Sequence, residues 1–357
     1  MVGLMKMMLW RDDVHLAHVV QSSQQRHDVR IRLYLRMEHN GVEGWGEIDP
    51  QPFALNGDPS VDEIVYELDK VLVTQVAGAF EREATAPSWT RIARFAGPRA
   101  ASAWAVALVE MALLDRELRE GETDLVSLWP KNFDTPRQVG VSLIDDAPID
   151  AREPGAVRVR AKIAPGILDA QRIEQLAGLD RPVLLDYNCS AISELEVLEQ
   201  LGQLRDGSSS VVVSVIEQPF APGNLVDHAR LAQECDVAIS LDEGVRTLRD
   251  IEQVVRYDAA HVVCVKPART GGYANARTMI ERAKQLGLRP YLGGFFESPL
   301  ARHVNRTLAQ HCVSEPSDIG DVSTVGRSID SEFEVLAHGF GLAPSAQLLA
   351  KATLLAT

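Results

Sequence analysis

Five charged residues stand at the ends of otherwise apolar or alternating runs, and their types and order suggest chemistry before any fold is assumed. Lys162 follows VRVRA, Asp186 follows PVLL, Glu217 follows SVVVSVI, Asp242 follows VAISL and Lys266 follows HVVCV. A charge in such a place is costly to bury unless it is paired or bound to a metal. Taken singly, each acid could be a helix N-cap or a surface carboxylate. As a triplet, Asp186, Glu217 and Asp242 supply hard oxygen ligands of the kind that suit Mg²⁺, which keeps some positions for water or substrate. Lys162 and Lys266 flank the triplet. A lysine beside a cation and partly desolvated gives up its proton more easily and can serve as a base near neutral pH. The alternative reading makes each lysine a salt-bridge partner of the acids. Either way the group favours an anionic substrate whose carboxylate meets a metal and whose enediolate that charge stabilises.

The elements that carry these residues follow from periodicity. Short runs rich in Val, Ile and Leu recur at 137–143, 157–163, 182–186, 211–216, 237–241, 261–265 and 288–292, starting roughly 20–30 residues apart. Helical segments separate them, at 168–178, 192–205, 225–234, 247–256 and 274–286. Strands alternating with helices predict β-α units around a parallel sheet. Seven units favour a (β/α) barrel over an open doubly wound sheet, and a barrel collects the carboxyl ends of its strands at one mouth. The region before it reads as α+β. Val29–Met37 alternates like a half-buried strand, and His39-Asn40-Gly41 offers a turn into a second strand over 42–47, predicting a hairpin. Helical periodicity follows at 61–73 and 100–119, the latter with Trp104, Leu108, Met111 and Leu118 on one face. The expected organisation is a capping domain over 1–125, a barrel over 126–325 and a tail over 326–357 that returns to the cap. The fold class is thus α/β, a modified TIM barrel with an α+β cap.

The motifs resemble those of the enolase superfamily, in particular its muconate-lactonizing subgroup. Arg160-Ala161-Lys162 is similar to the K-x-K of that family and Asp186-Tyr187-Asn188 to its D-x-N. Ile216-Glu217-Gln218-Pro219, Leu241-Asp242-Glu243, Val265-Lys266-Pro267 and the segment Gly293-Gly294-Phe295-Phe296-Glu297-Ser298 also match, as do Trp45-Gly46-Glu47 and Val109-Glu110-Met111-Ala112. Within the subgroup, Lys162–Gly166 and Val265–Gly272 are similar to segments of the o-succinylbenzoate synthases of the actinobacterial kind. The resemblance implies a lyase that dehydrates a succinyl-hydroxycyclohexadiene carboxylate in menaquinone synthesis. It implies Lys162 as the base, Lys266 on the opposite face, Asp186, Glu217 and Asp242 on Mg²⁺ or Mn²⁺, and Asn188 and Glu243 as orienting residues. Gly293, Gly294 and Ser298 are expected beside the substrate, the glycines allowing a tight turn there. Two rival readings remain: an N-acylamino acid racemase or dipeptide epimerase, since opposed lysines suit that reaction as well, and a catalytically silent binding relative.

One departure stands out. Arg160 occupies the family's first lysine position, two residues from Lys162 and on the same strand face; it keeps a positive neighbour for the base but cannot itself give up a proton. Other signals are weak. Nine histidines are scattered without an H-x-x-x-H pair, including His15 with His18 and His303 with His311. Thr270-Gly271-Gly272 and Gly293-Gly294 lack a phosphate-loop frame. Cys264 is expected as a packed hydrophobe. The polar stretch Gln21–His27 is either a lid over the mouth or an ordinary surface loop. The 357 residues carry 36 basic and 50 acidic side chains, a net charge of −14, which argues against nucleic-acid binding. With 46% hydrophobic residues, the chain is expected to be globular. Four dispersed cysteines exclude a disulfide scaffold, and no window resembles a membrane span or a signal peptide, so a soluble, cytoplasmic protein is expected. The expected partner is a small-molecule carboxylate. Periodicity leaves a homo-oligomer open.

Overall fold

A computed structural model describes residues 5–24, 26–69, 88–95, 101–134, 136–144, 155–319 and 332–356. Strands β1 (Lys6–Gln21), β2 (Arg26–His39) and β3 (Val42–Ile48) form an antiparallel meander. β2 and β3 are the expected hairpin. Asn40 and Gly41 turn it with φ of 55° and 79°, the consecutive positive values whose twist matches that of the flanking strands. The sequence pattern does not reveal β1, because its inward face runs Trp10, Asp12, Val14 and so breaks the apolar alternation with a carboxylate. Beneath the sheet lies the helix Ala103–Glu120, which buries Trp104, Leu108, Met111 and Leu118 as expected. β3 reaches it closely: a Cβ at Gly46 would stand 2.3 Å from the Leu108 carbonyl oxygen. Of the helix expected over 61–73, Val61–Glu67 is present, and residues 70–73 lie outside the described residues.

Seven parallel strands follow in chain order: β4 (Arg137–Ser142), β5 (Ala156–Lys162), β6 (Val183–Asp186), β7 (Val213–Glu217), β8 (Ala238–Leu241), β9 (Val262–Val265) and β10 (Arg289–Leu292). All seven coincide with the predicted runs within two residues. The eighth position of the barrel is filled by a short segment at Ser317 and Asp318. The Asp318 amide donates to the Leu292 carbonyl at 2.9 Å, while the Gln138 amide donates to the Ser317 carbonyl at 3.1 Å. β10 is thereby joined to β4 and the sheet closes, which rules out the open-sheet alternative. Helices Ala170–Ala177, Glu194–Gly207, Leu225–Glu234, Leu248–Tyr257, Tyr273–Gln285 and Pro299–Cys312 cover the outside.

The chain then forms a short hairpin of β11 (Phe333–Val335) and β12 (Leu342–Pro344). β13 (Thr353–Ala356) pairs antiparallel with β1 and completes a four-stranded cap sheet. Cap and barrel share one apolar core: Leu33, Leu35, Trp45 and Leu108 of the cap are continuous with Val265, Leu292, Leu300 and Leu308 of the barrel. A second core, with Val183, Leu185, Ile216 and Ile239, fills the opposite side of the barrel. Burial of this kind contributes about 25 cal/mol per Å² of apolar surface, so the shared core holds the cap on the mouth.

Candidate active site

The barrel register aligns the charged strand ends. Lys162 sits opposite Asp186 across β5 and β6, and Asp186 opposite Glu217 across β6 and β7. Asp242 directly follows β8 and Lys266 directly follows β9. Strand order therefore fixes an arc of Lys162, Asp186, Glu217, Asp242 and Lys266 along the rim. The three carboxylates have no exposed surface, while the Lys162 side chain keeps 15% of its own. Among the predicted site residues, the structure thus brings both lysines and all three acids together.

Arg160 lies in the middle of this arc. One terminal nitrogen of its guanidinium is 2.9 Å from Asp186, 2.5 Å from Glu217 and 3.7 Å from Asp242. The other approaches Asp318 at 3.3 Å. Burial alone would weaken its hold on the proton, but Asp186 and Glu217 outweigh that and raise its pKa. The acids respond unequally. Burial pushes all three up; Arg160 and Lys162 more than reverse this for Asp186, as Lys266 and Arg269 do for Asp242, and both end below the usual carboxylate range. For Glu217, burial and the two neighbouring acids prevail and its pKa is raised. Its second oxygen accepts a hydrogen bond from the Tyr291 hydroxyl.

At one end of the arc, Lys162 donates to Asp186 at 3.1 Å and to the Asn188 side-chain oxygen at 2.8 Å. Asn188 reaches Glu243 in turn, at 3.4 Å. Burial and Asp242 raise the Glu243 carboxyl to about 7. Asn188 and Gln218 have φ of 45° and 38°, unusual for side-chain-bearing residues and of the kind that accumulates at functional sites. The bend lets Gln218 accept the amides of Asp242 at 2.9 Å and Gly244 at 3.1 Å, which fixes the end of β8. The tip between β1 and β2 touches the same rim: Ser23 donates to the Tyr187 carbonyl and Gln24 to that of Asn188. Residues 22–24 of the polar stretch are therefore seated over the barrel mouth, and Gln25 lies outside the described residues.

At the other end, Lys266 donates to Asp242 at 2.7 Å and stands 4.5 Å from the centre of the Phe295 ring. Burial would lower its pKa, but Asp242 outweighs burial and raises it. Its ammonium is held by Asp242, as suits the stabilising charge that the resemblance implies for Lys266. Gly293 makes room for it, since a Cβ there would lie 2.6 Å from Lys266 Cε and 2.5 Å from Cys264 Sγ. Cys264 is buried and its thiol pushed well up by burial. Arg269, three residues beyond Lys266, donates to Asp242 at 2.6 Å and to Asp58 of the cap at 2.8 Å. Asp58 also takes Arg246 at 2.7 Å.

The remaining candidates, Ser298 and Gly294, meet groups other than the three acids and two lysines. Ser298 caps the helix Pro299–Cys312, and its amide and hydroxyl both donate to Glu47, so it belongs to the seam between cap and barrel. A Cβ at Gly294 would meet Glu297, not the lysine. In the same seam Arg30 and Arg32 of β2 donate to the carbonyls of Phe295 and Phe296, each at 2.9 Å, and so clamp the loop that carries Phe295. Sequence reading gave no role to Arg269, Gln218 or Tyr291. The first two lie inside quoted motifs, at fixed steps from Lys266 and Glu217, and could have been found there. No local signal links Asp58 or Arg30 to the site.

As a setting for a metal, the donor set fits a hard divalent ion: three fully buried carboxylates, all oxygen, whose mutual repulsion a cation must relieve. Arg160 provides that positive charge here. No cluster of three or more His, Cys, Asp or Glu among the described residues has metal-holding geometry as it stands, consistent with a guanidinium between the acids.

A closed parallel barrel with charged strand ends under an antiparallel cap defines the architecture of the enolase superfamily. Residues 151–344 match the family described as enolase C-terminal domain-like, and the chain belongs to it. It is 30% identical over 291 residues to an N-succinylamino acid racemase of Amycolatopsis sp, covering 79% of this chain and 76% of that one. It is 24% identical over 344 residues to the o-succinylbenzoate synthase of Bacillus subtilis, covering 93% and 88%. A solved dipeptide epimerase from Cytophaga hutchinsonii, complexed with Mg and the dipeptide D-Ala-L-Val, superposes with a TM-score of 0.78 at 16% identity over 99% of both chains. Among the described residues, no helix is long and apolar enough to cross a membrane.

Proposed function

We propose that this protein is a divalent-metal-dependent enzyme that removes the proton α to a carboxylate, and that its reaction is the dehydration of 2-succinyl-6-hydroxy-2,4-cyclohexadiene-1-carboxylate to o-succinylbenzoate. The observation that carries this reading is the arc itself, with Lys162 and Lys266 at opposite ends of three buried carboxylates. Asp186, Glu217 and Asp242 would hold Mg²⁺, or Mn²⁺ in its place, and the bound ion would supply positive charge to the substrate carboxylate as its α-proton leaves. Lys162, the more accessible lysine, takes that proton at Nζ and returns it to the departing hydroxyl. Water is lost and the ring becomes aromatic. Lys266 keeps its proton against Asp242 and Phe295 and offers a fixed positive charge from the other side. Asn188 orients Lys162, and Gln218 and Arg269 orient Asp242.

A second reading is racemisation of an N-succinylamino acid, favoured by the racemase relative and by the firmly protonated Lys266, which could deliver a proton to the face opposite Lys162. Both substrates carry a succinyl group and an acidic carbon next to a carboxylate. The test supplies Mg²⁺ and either the cyclohexadiene carboxylate or a panel of N-succinyl amino acids. Formation of o-succinylbenzoate supports the first reading, and α-deuterium uptake with inversion on the panel alone favours the second. Silence on both, with metal bound, would leave a dipeptide epimerase or a non-catalytic binding protein, which α-deuterium uptake on a dipeptide panel separates.

A further inference from the structure

Arg160 stands where a cation is needed, and it has a second anion behind it. One guanidinium nitrogen contacts all three acids of the arc, at 2.9, 2.5 and 3.7 Å, while the other lies 3.3 Å from Asp318. The remaining nitrogen, Nε, is buried without a hydrogen-bond partner, so only the tip of the fork holds the side chain in place. Asp318 comes from the short segment that closes the barrel, and its side chain is 27% exposed. Two positive charges cannot share the space between three carboxylates, because a divalent ion binds oxygen at roughly 2.0–2.1 Å and the guanidinium nitrogen already fills the gap.

We propose that Arg160 is a resident counter-cation of the carboxylate arc, displaced when a divalent metal binds and then retained by Asp318. The inference rests on reading the three acids as a metal site. It assigns a cost to metal entry: the ion must replace charge-assisted hydrogen bonds that a plain triad of acids would not have. It also gives the metal-free protein an internal means of neutralising buried acids that would otherwise repel each other.

The two residues should respond in opposite directions. Arg160→Met removes the competing charge, so Mn²⁺, followed by electron paramagnetic resonance, should bind about tenfold tighter or more, the equivalent of about 1.4 kcal/mol. The same variant without metal should melt lower than the parent, and Mn²⁺ should raise its melting temperature more than it raises the parent's. Asp318→Asn removes the anion that retains the guanidinium and should weaken Mn²⁺ binding by a measurable factor, while lowering the metal-free melting temperature less than Arg160→Met does, since the contacts of Arg160 with the three acids remain. This second variant keeps the test open if Arg160→Met does not fold without metal. Equal Mn²⁺ affinity in the parent and both variants would overturn the proposal and leave the metal reading intact. Absence of Mn²⁺ binding in every variant would overturn the metal reading and this inference with it.

Discussion

Gly293→Ala is the most informative small change, because its consequence can be worked from distances alone. The added methyl would lie 2.5 Å from Cys264 Sγ, 2.6 Å from Lys266 Cε and 3.1 Å from Lys266 Cγ. Carbon atoms pack at about 3.5–4.0 Å, so the lysine stem has to move by about 1 Å. It has little freedom to do so, with Nζ held by Asp242 at 2.7 Å and packed over Phe295. Cys264 is 1% exposed and cannot retreat into solvent. Overpacking of this kind costs about 1–3 kcal/mol of stability. Displacement of a reacting group by about 1 Å costs on the order of 10²-fold in rate, or about 2.7 kcal/mol of activation free energy. Urea denaturation and steady-state turnover on the preferred substrate, measured on the same preparation, separate the two effects. Adding Cys264→Ala should recover part of the stability but little of the rate, since the contact with Lys266 remains. Full turnover with unchanged stability in Gly293→Ala would refute the reasoning that Lys266 fills the space the glycine leaves.

Lys162→Ala should abolish exchange of the substrate α-proton with deuterium from solvent, whereas Arg160→Lys should retain it; unimpaired exchange in the Lys162 variant would remove it as the base. Chelation of divalent ions with EDTA should suppress turnover by at least about 10²-fold and leave the far-ultraviolet circular dichroism unchanged, with Mg²⁺ restoring activity. Asp58→Ala leaves the buried Arg269 without its bidentate partner and should cost about 3 kcal/mol of stability in urea. Burial depresses His228 to about 4 from the ordinary 6.5, so between those values the unfolded chain binds more protons than the folded one. Stability is then fully present above about pH 6.5 and declines by up to about 3 kcal/mol on acidification to pH 4, and His228→Phe should flatten that part of the melting-temperature profile.

Much of this protein can be read from local patterns. The seven strand runs were legible because buried parallel strands need continuous apolar residues, and the helices between them because their faces repeat every 3.6 residues. The five charged strand ends were legible for the same reason, as each interrupts a run that otherwise favours burial. β1 was not legible, since its inward Asp12 hides the alternation. The closure of the barrel at Ser317 and Asp318 rests on two residues, too few to carry any period.

Sequence alone thus determined the kind of chemistry available: which strands end in acids, which in lysines, and that an arginine stands two residues before Lys162, where the family it resembles has a lysine. Only the tertiary structure decided how those charges meet. It set Arg160 among three acids, brought Asp58 from the cap to Arg269, and held Lys266 as an ammonium against Asp242. The physical reason is that strand identity depends on interactions between neighbours along the chain. Coulombic balance and burial depend on distances across it, between residues that no sequence period connects.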